Sequence, residues 1–296
     1  MRLSVSNVSV KKTALSATSA ARLNTQNRPS QKRKRAKPQE NVLKKRQDIK
    51  RSANALFLLY NIFVKRLFVK SLPEKDIEII GTEHNHLTQV LRAQIGERVV
   101  IFCGDEFEYT FEITNITKKS ILLKFIRKDR CANNPKVSIT VFLAAIKHEN
   151  LSLVVQKLNE IGVKEIVIFD ATRSNVSTKN LRIERLESIA EQSCKQCGRS
   201  IPVKITFGNL GGLCNFDKII FADENHKDDL LGTLSLNNKD SIAAIIGPEG
   251  GFTDAERKEI LSHKNVVSVS LGKRIFRAET AAIAVSSIIL SKVGEI

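Results

Sequence analysis

Two different periods of apolar residues divide the chain. In FEYTFEIT, 107–114, Phe107, Tyr109, Phe111 and Ile113 alternate with Glu108, Thr110, Glu112 and Thr114, the period of a strand with one face in a core. Shorter runs flank it: RLFV from Arg66, ERVVIF at 97–102 and SILLKFI at 120–126, with a turn or two of helix expected at HLTQVLRA, 86–93. Residues 66–134 therefore predict a small β-barrel-like domain, ending in the linker CANNPK at 131–136. Beyond it the apolar runs become near-continuous: VSITVFLAA (137–145), EIVIFDA (165–171), KIIFAD (218–223), SIAAII (241–246) and VVSVSL (266–271). Segments of helical period stand between and after them, at 149–161, 180–197, 254–263 and 279–293. Such alternation predicts, for residues 135–296, an α/β domain with a parallel sheet covered on both faces. The last helix is apolar nearly all round. Ala282, Ile283, Val285, Ile288, Ile289 and Val293 cannot share one face at 3.6 residues per turn, so a second subunit is expected against it.

Open sheets of this kind bind ligands beyond the carboxyl ends of their strands. Two loops with unusual chemistry fall there. In IIGPEGGFTDAE, Gly247, Gly250 and Gly251 surround Glu249, and Thr253 to Glu256 is a capping box that starts the next helix. In LGKRIFRAETAAIA, a strand ends at Leu271-Gly272, a loop carries Lys273, Arg274 and Arg277, and a helix opens with Glu279-Thr280. Neighbouring loops of this form can wall one pocket. GPEGGF lacks the G-x-G-x-x-G of dinucleotide sites and the Gly-Lys-Ser/Thr of phosphate-gripping loops, which argues against a nucleotide-dependent oxidoreductase or a P-loop enzyme.

Charge changes the picture less than its total suggests. Of a net +17, residues 1–65 hold 16 Lys/Arg against Glu40 and Asp48, whereas the remaining residues hold 32 against 29. The basicity belongs to an N-terminal extension rich in Ser, Asn, Lys and Arg, without hydrophobic period, and expected to be disordered. It reads as an organelle transit peptide, a nuclear signal or RNA-binding arm through QKRKRAK, or an extension without a structural role. ALFLLYNIFV, 55–64, is about half the length of a membrane span. Five scattered cysteines and no evident secretory signal favour a reducing compartment. Cys194-Lys-Gln-Cys197 has the spacing of a redox motif or zinc knuckle, yet no second Cys/His pair follows, so it reads as two thiols on a helix face. No metal is expected.

Together, IIGPEGGFTDAE and LGKRIFRAETAAIA resemble the signature of the RsmE family, 16S ribosomal RNA (uracil-N3)-methyltransferases of the SPOUT superfamily. The resemblance extends through HLTQVLR (86–92), KHENLSLVVQKLNEIGVKEIVIF (147–169) and EQSCKQCGR (191–199), covering 66–296. It implies a PUA-like β-barrel followed by a SPOUT domain with a trefoil knot, S-adenosylmethionine as cofactor, and a homodimer. It implies methylation at uracil N3 of small-subunit ribosomal RNA, at the uridine of position 1498. The cofactor loops would be Gly247, Glu249, Gly250 and Gly251, and Leu271, Gly272, Ile275 and Phe276, with Ala222 and Thr280 beside them. Arg277 would stabilise the uracil anion, and Glu279 would act as base or aim Arg277. Arg66, Lys70 and Arg92 are expected to meet RNA. A cytoplasmic enzyme is expected, or an organellar one if residues 1–65 direct it there. The competing readings are a catalytically silent ribosome-assembly factor and a SPOUT enzyme with another RNA target.

Overall fold

The computed structural model describes residues 64–71, 75–226 and 230–296. The extension predicted for 1–65 and the apolar stretch 55–64 thus lie, apart from Val64 and Lys65, outside the described residues.

The first sheet has strands β1 (Lys65–Phe68), β2 (Ile77–Ile80), β3 (Arg98–Phe102), β4 (Phe107–Ile116) and β5 (Ser120–Arg130), in the order β1-β3-β4-β5-β2. The alternation in β4 places Tyr109, Phe111 and Ile113 in a core with Leu67, Val99, Ile101, Ile121 and Leu123. A short helix α1 (Gly81–Asn85) and a wider helical turn, His86–Val90, carry Leu87 into the same core. Strand β2 was not anticipated. It is four residues long and pairs only with β5, so IEII carries too little pattern to stand out.

The second sheet contains β6 (Ile139–Ala144), β7 (Glu165–Phe169), β8 (Lys204–Gly208), β9 (Lys218–Ala222), β10 (Ile242–Ile246) and β11 (Val266–Val269). All pairings are parallel, in the order β11-β9-β10-β6-β7-β8. Every residue of β6 and β10 is buried, which is why both read as near-continuous apolar runs, interrupted only by Thr140. Edge strand β8, KITFG, was not anticipated, since only Ile205 within it is buried.

Helices α2 (His148–Ile161), α3 (Ile183–Cys197) and α5 (Ala278–Lys292) share one apolar cluster with the sheet. Helix α4 (Asp254–Leu261) contributes Ile260 to a second cluster, which also holds Leu210 and Leu213 of a 3-10 segment. Within α5, Ala282, Val285, Ile289 and Leu290 are fully buried, and the helix packs on α2, β6 and β10. The sequence expectation for this helix needs correction. Ile289 and Val293 belong to the chain's own core, and among the apolar residues of α5 only Ile283 and Ala284 remain half-buried without joining a cluster.

The two sheets meet at the end of α3. Arg66, 5% exposed, pairs with Glu108 at 2.8 Å and donates to the carbonyls of Gly198 and Arg199 at 3.2 and 3.1 Å. Lys195 pairs with Glu83 at 2.8 Å, and the Ser200 hydroxyl donates to the Asp105 carbonyl at 2.6 Å. Asn134, in the connecting segment, accepts from the amides of Ser200 and Ile201.

Candidate active site

A cleft of about 1300 Å³ opens beyond the carboxyl ends of β9, β10 and β11. Its first wall is the connection from β10 to α4. Gly247 must lack a side chain there, because a Cβ would come within 2.8 Å of the Phe252 ring. Phe252 stacks on Phe169 with centroids 6.4 Å apart and meets Phe221 edge-on at 5.4 Å, which seats the loop across the ends of β7 and β9. Thr253 and Glu256 form the expected capping box. The Glu256 carboxylate also accepts from the Thr172 amide at 2.7 Å, and Arg173 donates to the Gly250 carbonyl at 3.4 Å. Burial opposes the charge on Glu256, but hydrogen bonds from the Thr172 and Thr253 amides and the Thr253 hydroxyl outweigh it and hold its pKa below the usual carboxylate value. The loop is therefore pinned at both ends.

The second wall runs from Ser270 through Arg277, the N-cap position of α5, to Glu279 and Ala281. Lys273, Arg274 and Arg277 are exposed along it, and none of the three makes an ion pair among the described residues. Glu279 is half-buried. Its Oε2 is fully enclosed and has no hydrogen-bond partner. A desolvated, unpaired carboxylate oxygen costs about 1–3 kcal/mol, so this one, on a residue that lines the cleft, is a polar group the folded chain leaves unanswered.

The third wall is the end of β9. Asp223, 5% exposed, is ion-paired with Arg257 of α4 and accepts from the Ser268 hydroxyl at 3.2 Å, so its charge is already answered. Glu224, Asn225 and His226 continue the wall, and Lys147 and Asn150 from the start of α2 complete the lining with Asn175.

Of the residues singled out in the sequence, Ala222, Gly247, Glu249, Leu271, Gly272, Ile275, Phe276, Arg277 and Glu279 line this cleft. Gly250, Gly251 and Thr280 do not. Gly250 packs its α-carbon against Arg173, and Gly251, at φ 67°, faces the Glu224 carboxylate. Thr280 is an exposed residue of the first turn of α5. Lys147, Asn150, Asn175, Glu224 and Phe252 were missed. Lys147 and Asn150 lie inside the family-like block from 147, and Phe252 adjoins the glycine loop; nothing local marks Asn175 or Glu224.

The expectation that Arg66 meets RNA is overturned. Its side chain is 3% exposed, with one terminal nitrogen on Glu108 and the other on two backbone carbonyls, and its Nε is enclosed, leaving no face for a phosphate. Lys70 and Arg92 are exposed, Arg92 at φ 48° where the helical turn ends.

The two loops do not follow adjacent strands, since β9 lies between β10 and β11. This arrangement, a pair of loops after the two parallel strands that flank β9, together with a curled five-stranded sheet, defines the class: a SPOUT-type methyltransferase domain with an N-terminal PUA-like domain. Residues 132–290 match the RNA methyltransferase domain family, and residues 79–126 match the RNA methyltransferase PUA domain. A Legionella pneumophila methyltransferase solved with bound S-adenosylmethionine superimposes with a TM-score of 0.66 at 25% identity, covering 77% of this chain and 97% of that one. The ribosomal RNA small subunit methyltransferase E of Neisseria gonorrhoeae, solved bound to S-adenosylmethionine, has the same fold, with a TM-score of 0.67 at 24% identity over 77% of this chain and 97% of its own. Ribosomal RNA small subunit methyltransferase E of Rickettsia conorii is 31% identical over 74% of this chain and 91% of its own length. That of Mesomycoplasma hyopneumoniae is 32% identical over 74% and 95%. The chain belongs to the ribosomal RNA small subunit methyltransferase E family.

Proposed function

We propose that the protein transfers the methyl group of S-adenosylmethionine to N3 of one uracil in small-subunit ribosomal RNA, the uridine implied by its family resemblance. Methyl transfer to ribosomal RNA follows from the family. The observation that carries the finer reading is the start of α5, where the enclosed, partnerless Glu279 Oε2 and the unpaired Arg277 stand two residues apart on the cleft wall. When bound, S-adenosylmethionine supplies an electrophilic methyl group on a sulfonium. The residues lining the glycine loops fit such a ligand, since Gly272, with open space where a side chain would stand, leaves its backbone uncovered at the cleft.

Uracil N3 becomes nucleophilic only when its imide proton leaves and the electron pair stays on the ring. In this reading Glu279 accepts that proton, or else aims Arg277. Arg277 donates to the uracil oxygen on which the negative charge develops. The base must be unpaired to present N3, which lies on its pairing edge. Holding it in line with the methyl group supplies much of the acceleration. Mass spectrometry of small-subunit RNA, with and without the protein, tests the reading: 3-methyluridine should appear only with it, and its absence in both sinks the proposal. Glu279→Gln separates the two roles of the carboxylate. If Glu279 is the base, the rate falls and the limb of the pH–rate profile that reports its ionisation disappears; a retained rate and shape assign the proton to solvent.

In this reading residues 66–134 hold the RNA and 135–296 perform the transfer, on free RNA or the assembled small subunit, in the cytoplasm or an organelle. No described helix is long and apolar enough to cross a membrane. Lys70→Ala and Arg92→Ala should each lower the slope of RNA affinity against salt by about one phosphate contact, with cofactor affinity intact. A chain starting near Lys65 should keep site-specific methylation and lose mainly non-specific affinity; loss of methylation would assign the basic extension to substrate recognition.

The homodimer rests on α5. Its half-buried stripe Ile283, Ala284, Ser287 and Ile288 is the face left for a second copy. Ile283→Glu is expected to lower both dimerisation in sedimentation and activity, whereas Ile289→Glu would place a charge in this subunit's own core and report only unfolding. A monomeric, fully active Ile283→Glu enzyme would show that the contact does not complete the site.

A further inference from the structure

The last turn of α3 holds a cluster that methyl transfer does not use. Cys194 is fully buried and Cys197, the last residue of the helix, is half-buried. One atom, Asn159 Nδ2, lies 3.4 Å from the Cys194 sulfur and 3.7 Å from the Cys197 sulfur. Residues three apart in a helix have α-carbons within the span a disulfide bridges. Arg199 follows, 2% exposed. Its Nη1 donates to the carbonyls of Asn159 and Val163 at 2.7 and 3.0 Å, while its buried Nε has no partner and no carboxylate pairs with it among the described residues. A buried guanidinium without a carboxylate calls for another anion.

We propose that Cys194 and Cys197 form a redox-responsive thiol pair at the seam between the two sheets, with Cys197 as the reactive sulfur balancing Arg199 and Cys194 as the resolving thiol. The Cys194 thiol donates to Asn159 Oδ1 at 3.6 Å and, as the neighbouring thiol, lowers the pKa of Cys197; burial opposes this, the Arg199 amide and charge reinforce it, and Glu160, itself bound to Lys157, pushes weakly the other way. The neighbouring Cys197 and burial together raise that of Cys194. Cys131, whose sulfur donates to Glu108 and the Gly198 carbonyl, is held protonated by burial and the Glu108 charge.

The oxidant is a hydroperoxide. The Cys197 thiol gives its proton to water, and the thiolate attacks the terminal oxygen, so that an S–O bond forms, the O–O bond breaks, and the departing alkoxide takes up that proton from the water. Cys194 then loses its proton and attacks the Cys197 sulfur; the S–S bond forms and hydroxide leaves as water with that proton. Two thiols and one hydroperoxide thus give one disulfide, one alcohol and one water, and an external dithiol reverses the step. The Gly198 and Arg199 carbonyls that receive Arg66 follow directly in the chain, so the pair sits where the first sheet docks.

The full-length protein, titrated with hydrogen peroxide and then alkylated, should show by mass spectrometry a Cys194–Cys197 disulfide before oxidation of exposed Cys214, and dithiothreitol should restore both thiols. In Cys194→Ser, Cys197 should accumulate as a sulfenic acid trapped by dimedone, and in Cys197→Ser, Cys194 should stay unmodified. Limited proteolysis checks that both variants are folded. Oxidation of Cys214 ahead of the pair, or failure of dimedone to label Cys197 in folded Cys194→Ser, would overturn the proposal.

Discussion

Arg277→Ala is expected to slow methyl transfer by about 10²–10³-fold, the loss typical of removing one donor to a developing anion, while leaving S-adenosylmethionine affinity nearly unchanged. The side chain is exposed on the cleft wall, at the N-cap position of α5, and makes no ion pair among the described residues. Its charge is therefore available to whatever enters the cleft. An interaction made only with charge that appears during the reaction shows in turnover and not in ground-state binding. Single-turnover rates and calorimetry on the same variant check this, and equal losses in both would reassign Arg277 to cofactor capture.

Gly251→Val should abolish cofactor binding by a route that differs from a simple blockade of the cleft. Gly251 sits at φ 67°, where its amide donates to the Pro248 carbonyl at 3.0 Å and turns the loop toward α4. A β-branched residue in the left-handed region costs on the order of 1–3 kcal/mol. Its Cβ would also run into the Glu224 carboxylate, which belongs to the opposite wall. Two effects thus converge, a strained turn and a displaced wall, and they can be separated. Adding Glu224→Ala to Gly251→Val should recover part of the binding if the collision dominates and none if the turn does. Undiminished affinity in Gly251→Val itself would take this loop out of the site.

The glycine loop was legible because its signals are local. A strand that is apolar at every position, a cluster of glycines, and Thr253 three residues before Glu256 announce strand, turn and helix within one short window. What could not be read is set by residues far apart. Arg66 looks like any basic residue at the edge of an RNA-binding domain, and its true partners are carbonyls 132 and 133 positions away. Ile289 looked like surplus apolar surface because the count of faces assumed only a sheet beneath α5, whereas α2 and the sheet both pack against it. Strands β2 and β8 are edges with few buried residues, and periodicity reports burial before it reports hydrogen bonding.

The sheet order also dictates when, during synthesis, the cleft can exist. Strand β10 enters between β6 and β9, yet it is made roughly 100 residues after β6, on the order of 5–20 seconds later at common elongation rates. Until then β6, β7 and β8 can pair with one another, but β9 has no neighbour, since both of its partners, β10 and β11, follow it in the chain. Helix α5, which covers β6 and β10, arrives last of all. A ribosome stalled before Ile242 therefore holds a half-sheet with an open, mostly apolar edge at β6 and no pocket at all, and chaperone dependence should be greatest in that interval.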